Sequence, residues 1–236
     1  MIPQTIHYCW FGNNPKDSFI KKNIESWRKF LPNAQIKEWN ELNFNIEFNT
    51  YTSEAYKAKK YAFVSDVVRL YALVSEGGVY FDTDVTALQS FPPELFKTKA
   101  FAGFETDKTI GTGILACQKE HPFFKEFLDS YNKRHFDLFL KKDTTSNVEE
   151  ITRLLKKNGL IANNKRQNVS GIEIFPKEIF CNKNYKTGER YISKQSLTIH
   201  DFQGSWTEKS LVGDAWQKLH LPKTDLLRKI SSLLRK

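Results

Sequence analysis

The chain has 236 residues, 40% hydrophobic and 27% charged, with a net charge of +9. That composition fits a soluble folded domain with a sizeable core and excludes a disordered or collagen-like chain. No stretch approaches the ~20 apolar residues of a membrane span, and Met1–Trp10 shows no basic-then-apolar leader.

Cys9, Cys117 and Cys181 are too scattered for a disulfide framework or a zinc site and suit a reducing cytoplasm. The basic excess calls for an anionic partner: nucleic acid, a membrane surface or a phosphorylated substrate.

Strands and helices alternate along the chain, which predicts an α/β fold. Residues 5–11 read as a strand running into a Gly12–Pro15 turn, 16–30 as an amphipathic helix and 35–39 as a second strand. A single long helix is expected over 53–75, opened by Ser53 and stopped by Gly77-Gly78. Strands follow at 79–82, 100–104 and 110–117, and helices at 122–131 and 146–157. Residues 158–170 and 181–190 read as polar loops, with short strands at 172–175 and 197–200. The expectation is one domain over 1–222, followed by a basic amphipathic tail over 223–236.

Four motifs carry chemistry. In an extended chain Asp82 and Asp84 share a face just past an apolar strand. Two carboxylates so placed call for a cation between them, and a hard divalent ion suits oxygen ligands; a turn with two solvated acids is the plain alternative. Asp66 and Arg69 sit at i and i+3 among apolar neighbours on the long helix. They form either an internal salt bridge or a site in which Asp66 accepts sugar hydroxyls and Arg69 donates to hydroxyl or phosphate oxygens. His200 and Asp201 at a strand end suit a metal, and the following Gly204-Ser205-Trp206 loop suits a phosphate. His7 and Trp10 lie on the first strand before Gly12, the place where α/β folds bind nucleotides. Trp10 there either stacks on a base or packs in the core.

These motifs, in this order, resemble the family 32 glycosyltransferases, in particular the Asp-x-Asp sugar transferases of bacterial capsule and exopolysaccharide synthesis. The resemblance rests on residues 2–12, Ala58–Arg69, Glu76–Asp84 and Gly204-Ser205-Trp206. It extends to the active site of the large clostridial glucosylating toxins, which share the step from Asp66 to Asp82. It implies a GT-A fold, a nucleotide-sugar donor, a divalent metal (Mn²⁺, or Mg²⁺) and retention of anomeric configuration. By that likeness Trp10 stacks on the base, Asp66 and Arg69 hold the donor sugar, and Tyr80 and Asp82 hold ribose and sugar. Asp84 ligates the metal with Asp82, His200 and Asp201, while Trp206 contacts the diphosphate or the sugar. His7, Thr112, Gly204 and Ser205 complete the expected donor site. Two departures stand out: His200-Asp201 where relatives have His-His, and Thr112 where relatives have Asn.

The implied reaction moves a hexose from a nucleotide sugar, a UDP-sugar by expectation, to a lipid-linked glycan acceptor. The tail over 223–236, with Leu226, Leu227, Ile230, Leu233 and Leu234 flanked by basic residues, would rest on the inner leaflet or pack on the domain. Two rivals read the same residues otherwise. A haloacid-dehalogenase-like phosphatase would use Asp82 as nucleophile and Asp84 as acid, but its later acidic motif has only Asp214 as candidate and Lys218 where a second acid belongs. A nucleic-acid-binding protein would use the positive charge, yet no zinc-finger spacing, RNP-like segment or basic recognition helix is present, so no nucleic-acid partner is expected.

Overall fold

The computed structural model describes residues 1–203 apart from 139–140 and 185–186, without the side chains of 137–142. The expected domain boundary at 222, the amphipathic tail and the Gly204-Ser205-Trp206 loop therefore lie outside the described residues.

The chain opens with β1 (Thr5–Cys9), α1 (Ser18–Phe30) and β2 (Gln35–Trp39). Helix α1 starts where Asp17 accepts a hydrogen bond from the Ile20 amide, which satisfies one of the free N–H groups of the first turn. Next come α2 (Thr50–Lys57) and α3 (Tyr61–Glu76). The single helix expected over 53–75 is thus two. Lys59 takes a left-handed φ of 56° and breaks the run, and the true cap is Asn49, whose side chain accepts from the Thr52 amide. Helix α3 stops as expected, with Gly77 at φ 69° and its amide bonded to the Leu73 carbonyl.

Beyond it lie β3 (Gly78–Phe81), β4 (Val85–Ala87), α4 (Pro93–Lys97), β5 (Ala100–Phe104), β6 (Ile110–Cys117) and α5 (Pro122–Asp129). After the short β7 (Asp137–Leu138) and β8 (Lys141–Lys142) comes α6 (Asn147–Lys157), which begins with a reciprocal Ser146–Glu149 capping box. The rest is β9 (Gln167–Val169), β10 (Ile172–Phe175), α7 (Lys177–Phe180) and β11 (Thr198–His200).

Seven strands form one mixed sheet in the order β2-β1-β3-β6-β5-β10-β9. β2, β1 and β3 run parallel, β6 reverses between β3 and β5, and β10 is again parallel to β5. Side chains alternate between two cores. On β3, Tyr80 joins the core built with Val64, Val67 and Val68 of α3, while Val79 and Phe81 join the one built with Ile24 and Trp27 of α1. The sheet is therefore sandwiched between two helical layers, the arrangement expected when strands are buried on both faces. A separate two-stranded ladder pairs β11 antiparallel with β4. Among the described residues no helix is long and apolar enough to cross a membrane.

Candidate active site

Parallel pairing of β1 with β3 brings their C-terminal ends to one edge of the sheet. Asp82 lies just past β3, in a turn closed by the Val85 amide and the Asp82 carbonyl at 3.0 Å. The two aspartates therefore converge through a tight turn and not through an extended chain. Helix α1 pins that turn from outside: the buried Asn23 donates to the Thr83 carbonyl at 2.9 Å and accepts from the Thr86 hydroxyl at 2.6 Å, and Trp27 Nε1 donates to the Val85 carbonyl.

Into the turn comes His200, carried by β11 through its pairing with β4. Its Nε2 lies 3.0 Å from Asp84 Oδ1 and 3.9 Å from Asp82 Oδ2. Ligand atoms of Asp82, Asp84 and His200 all fall within 4.8 Å of one another. Burial disfavours the charged imidazole, but Asp84 beside it outweighs that and raises the His200 pKa well above its ordinary value. Two carboxylates and an imidazole in this cluster fit a divalent cation.

Arg69 braces the group from α3. Its Nη2 contacts Asp66 at 3.0 Å and Asp82 at 3.2 Å, and its Nη1 donates to the Thr112 carbonyl at 2.8 Å. The internal salt bridge and the site are thus one structure, since the ion pair extends to the first aspartate of the turn. The Arg69 side chain is 6% exposed; burial opposes its charge, but Asp82, Tyr80 and Asp66 hold the guanidinium more firmly protonated than usual. Asp66 pays the larger electrostatic penalty: burial lifts its carboxyl to about 6 against the pull of Arg69.

Several expected site residues take other roles. His7 is fully buried, with Nε2 donating to the Gly77 carbonyl at 2.7 Å and Nδ1 accepting from Trp39 Nε1 at 3.1 Å. Burial keeps it neutral, and both ring nitrogens are used within the fold. Tyr80 is 1% exposed; its hydroxyl donates to Asp82 Oδ1 at 2.9 Å while its ring lies under Arg69, so it acts through Asp82. Thr112 contributes its carbonyl to Arg69, a contact that any residue type supplies. Asp201 is not brought into the metal group: neighbours at a strand end face opposite ways, and its Oδ1 instead holds Lys183 Nζ at 3.0 Å and Arg190 Nη2 at 2.8 Å. Trp10 lines a cleft of about 390 Å³ with Asn13, Lys16, Glu38, Glu41 and Tyr56.

Sequence reasoning missed Asn23, Glu105 and Gly113. A side chain at Gly113 would meet His200 Cε1 at 2.7 Å and Asp82 Oδ2 at 3.2 Å. Glycine inside a strand marks such a close approach, and that signal was available in Gly111-Thr112-Gly113.

Residues 17–102, which include the Asp66–Arg69 pair and the aspartate turn, match the family described as the glycosyltransferase sugar-binding region containing the DXD motif. The likeness is to glycosyltransferases. The PaToxG glycosyltransferase shares the fold, with a TM-score of 0.50 and 18% identity over 66% of this chain and 69% of that one, and the fold is of the GT-A type. An uncharacterized protein of Arabidopsis thaliana is 26% identical over 151 residues, 64% of this chain and 23% of its own length. Subversion of eukaryotic traffic protein A of Legionella pneumophila is 26% identical over 83 residues, 34% of this chain and 13% of its own length. The chain spans less than a quarter of either curated relative. The family match over the site and the Asp–Asp–His group support a glycosyltransferase with a DXD-type sugar-binding region, and leave the phosphatase reading of Asp82 and Asp84 without support.

Proposed function

We propose that the protein is a metal-dependent, retaining glycosyltransferase of the family 32 type that transfers a hexose from a UDP-sugar to a lipid-linked glycan in cell-surface polysaccharide synthesis. The observation that carries it is the convergence of Asp82, Asp84 and His200 within 4.8 Å, inside the stretch that matches the DXD sugar-binding region. Asp82, Asp84 and His200 would hold the ion, manganese by the chemistry of the donor set, and when bound it supplies positive charge opposite a leaving diphosphate.

The chain's own residues do the rest. Arg69 and Tyr80 fix the Asp82 carboxylate, and Asn23 fixes the turn that presents Asp84. Trp10 offers an aromatic face for the base at the mouth of its cleft, and Asp66, held beside Arg69, offers an acceptor to sugar hydroxyls. Retention is carried over from the family resemblance, with the leaving phosphate helping to deprotonate the acceptor. The cytoplasmic face of the membrane as the working location rests on the apolar stripe and basic flanks of 223–236.

A panel of nucleotide sugars with Mn²⁺, scored by nucleotide released through slow hydrolysis, tests the reading. Turnover of at least one donor is expected, and Asp84→Ala or EDTA should each reduce it at least about a hundredfold with the fold intact. Full turnover in EDTA would refute the metal role.

A further inference from the structure

Strand β6 carries glycine at both 111 and 113, two residues apart and therefore on one face. Asp82 and His200 lie over Gly113. Over Gly111 lie Glu105 and Cys181: a side chain there would stand 3.5 Å from Glu105 Oε2 and 3.4 Å from Cys181 Sγ. The two glycines make a floor free of side chains, and two residues along a strand span about 7 Å. Glu105 thus sits over the same floor as the metal group, roughly one such step away.

Glu105 is outside the Asp–Asp–His group. Among the described residues its carboxylate forms no ion pair or hydrogen bond, and its electrostatic neighbours are His200, Asp82 and Asp84. The nearby cations are already committed, Arg69 to Asp66 and Asp82, and Lys183 and Arg190 to Asp201. A carboxylate in this position repels phosphate, and no Lys or Arg among the described residues pairs with it. The ligand that complements it is a donor of neutral O–H groups, through short charge-assisted hydrogen bonds.

We propose that Glu105 is a sugar-binding residue that accepts hydrogen bonds from carbohydrate hydroxyls beside the metal group. This rests on the glycosyltransferase reading. The hydroxyls belong either to the transferred hexose or to the acceptor, and the two sources separate experimentally.

Wild type, Glu105→Ala and Glu105→Gln would be titrated with Mn²⁺–UDP and with Mn²⁺ plus UDP-glucose or UDP-galactose, and assayed for hydrolysis and for transfer to methyl glycosides. All three should bind Mn²⁺–UDP within about twofold of one another. If the hydroxyls are the donor's, Glu105→Ala weakens the UDP-sugar about tenfold relative to UDP; Glu105→Gln, which keeps one acceptor oxygen, loses less. If they are the acceptor's, UDP-sugar binding and hydrolysis stay unchanged while KM for the methyl glycoside rises about tenfold. Equal loss of Mn²⁺–UDP and UDP-sugar binding would make Glu105 part of the metal site and overturn the proposal. So would unchanged sugar binding together with unchanged acceptor KM. Should Glu105→Ala fail to fold, the same comparisons decide on Glu105→Gln. A wild type that neither binds nor hydrolyses any nucleotide sugar refutes the glycosyltransferase reading itself, a failure visible without any Glu105 variant.

Discussion

The two parallel strands that reach the site end in opposite ways. β1 turns its polar group inward: His7 spends both ring nitrogens on Gly77 and Trp39, and beyond the strand Trp10 borders an open cleft. β3 hands over to groups that face one another, with Asp82 and Asp84 meeting His200 and braced by Arg69 and Tyr80. Two histidines of one chain thus have opposite uses, and what separates them is the partner. A carbonyl and an indole saturate a neutral ring, whereas two carboxylates hold the other ring against negative charge. Substitutions of the buried brace at the β3 end, Arg69 and Asp66, should therefore disturb stability and chemistry together, and those at the β1 cleft should disturb binding alone.

The largest effect is expected at Arg69. Removing a buried cation that serves two carboxylates leaves both uncompensated, so Arg69→Ala should cost about 3–5 kcal/mol in denaturant unfolding. Arg69→Lys should recover part of that stability but little use of the nucleotide sugar, because an ammonium cannot serve Asp66, Asp82 and the Thr112 carbonyl in one fork. An Arg69→Ala protein as stable as wild type would erase the contrast between the two ends.

Asp66 comes next, through pH. Its carboxyl titrates at about 6 when folded against an ordinary 3.8, so the folded state holds a proton that the unfolded chain releases. The associated stability is fully present below about pH 4 and is lost as pH rises through about 6, amounting to about 3 kcal/mol. The difference in unfolding free energy between wild type and Asp66→Asn should shift by most of that, about 2.4 kcal/mol, between pH 4 and 7, with wild type losing ground. A difference that stays flat over this range would show that Asp66 is no more strained than a surface acid.

Trp10 sharpens the comparison from the other side. Base stacking on an aromatic ring contributes about 1–3 kcal/mol, so Trp10→Ala should weaken nucleotide and nucleotide sugar equally, by about tenfold, with the melting temperature unchanged. Calorimetry with UDP and a UDP-sugar reads both. A loss confined to the sugar-bearing ligand would move Trp10 to the sugar end.

Much of this was legible in sequence because the signals are local. Apolar runs marked β1, β3 and β6, Gly77 marked the end of α3, and Asp66, Arg69, Asp82 and Asp84 stood out by residue type. What escaped depends on long-range pairing. β4 is three residues long and owes its existence to β11, and β9 to β10, so neither has a periodicity of its own. The break between α2 and α3 turns on a left-handed lysine, which carries no sequence mark comparable to glycine's. His200 and Asp201 are chemically equal candidates until the strand's alternation and the cations Lys183 and Arg190 separate them. Glu105 resembles any loop acid until its place above Gly111 is seen.

The β4–β11 ladder has a consequence for how the molecule assembles. It joins the middle of the chain to its later part, and the ligand set is complete only once that long loop has closed. Such non-local closure is slow to form, and the three side chains converge only after it. Thermodynamics then runs in both directions. An ion held only by the closed arrangement would stabilise it by an amount that grows with the logarithm of its excess, about 2.7 kcal/mol at a hundredfold excess over its Kd. A change that opens β11 from β4 in part of the molecules would weaken the ion's apparent affinity in proportion to the fraction left closed. On the proposed function the three side chains would also act as a clasp, and the supply of free metal would bear on how firmly the end of the described fold is held.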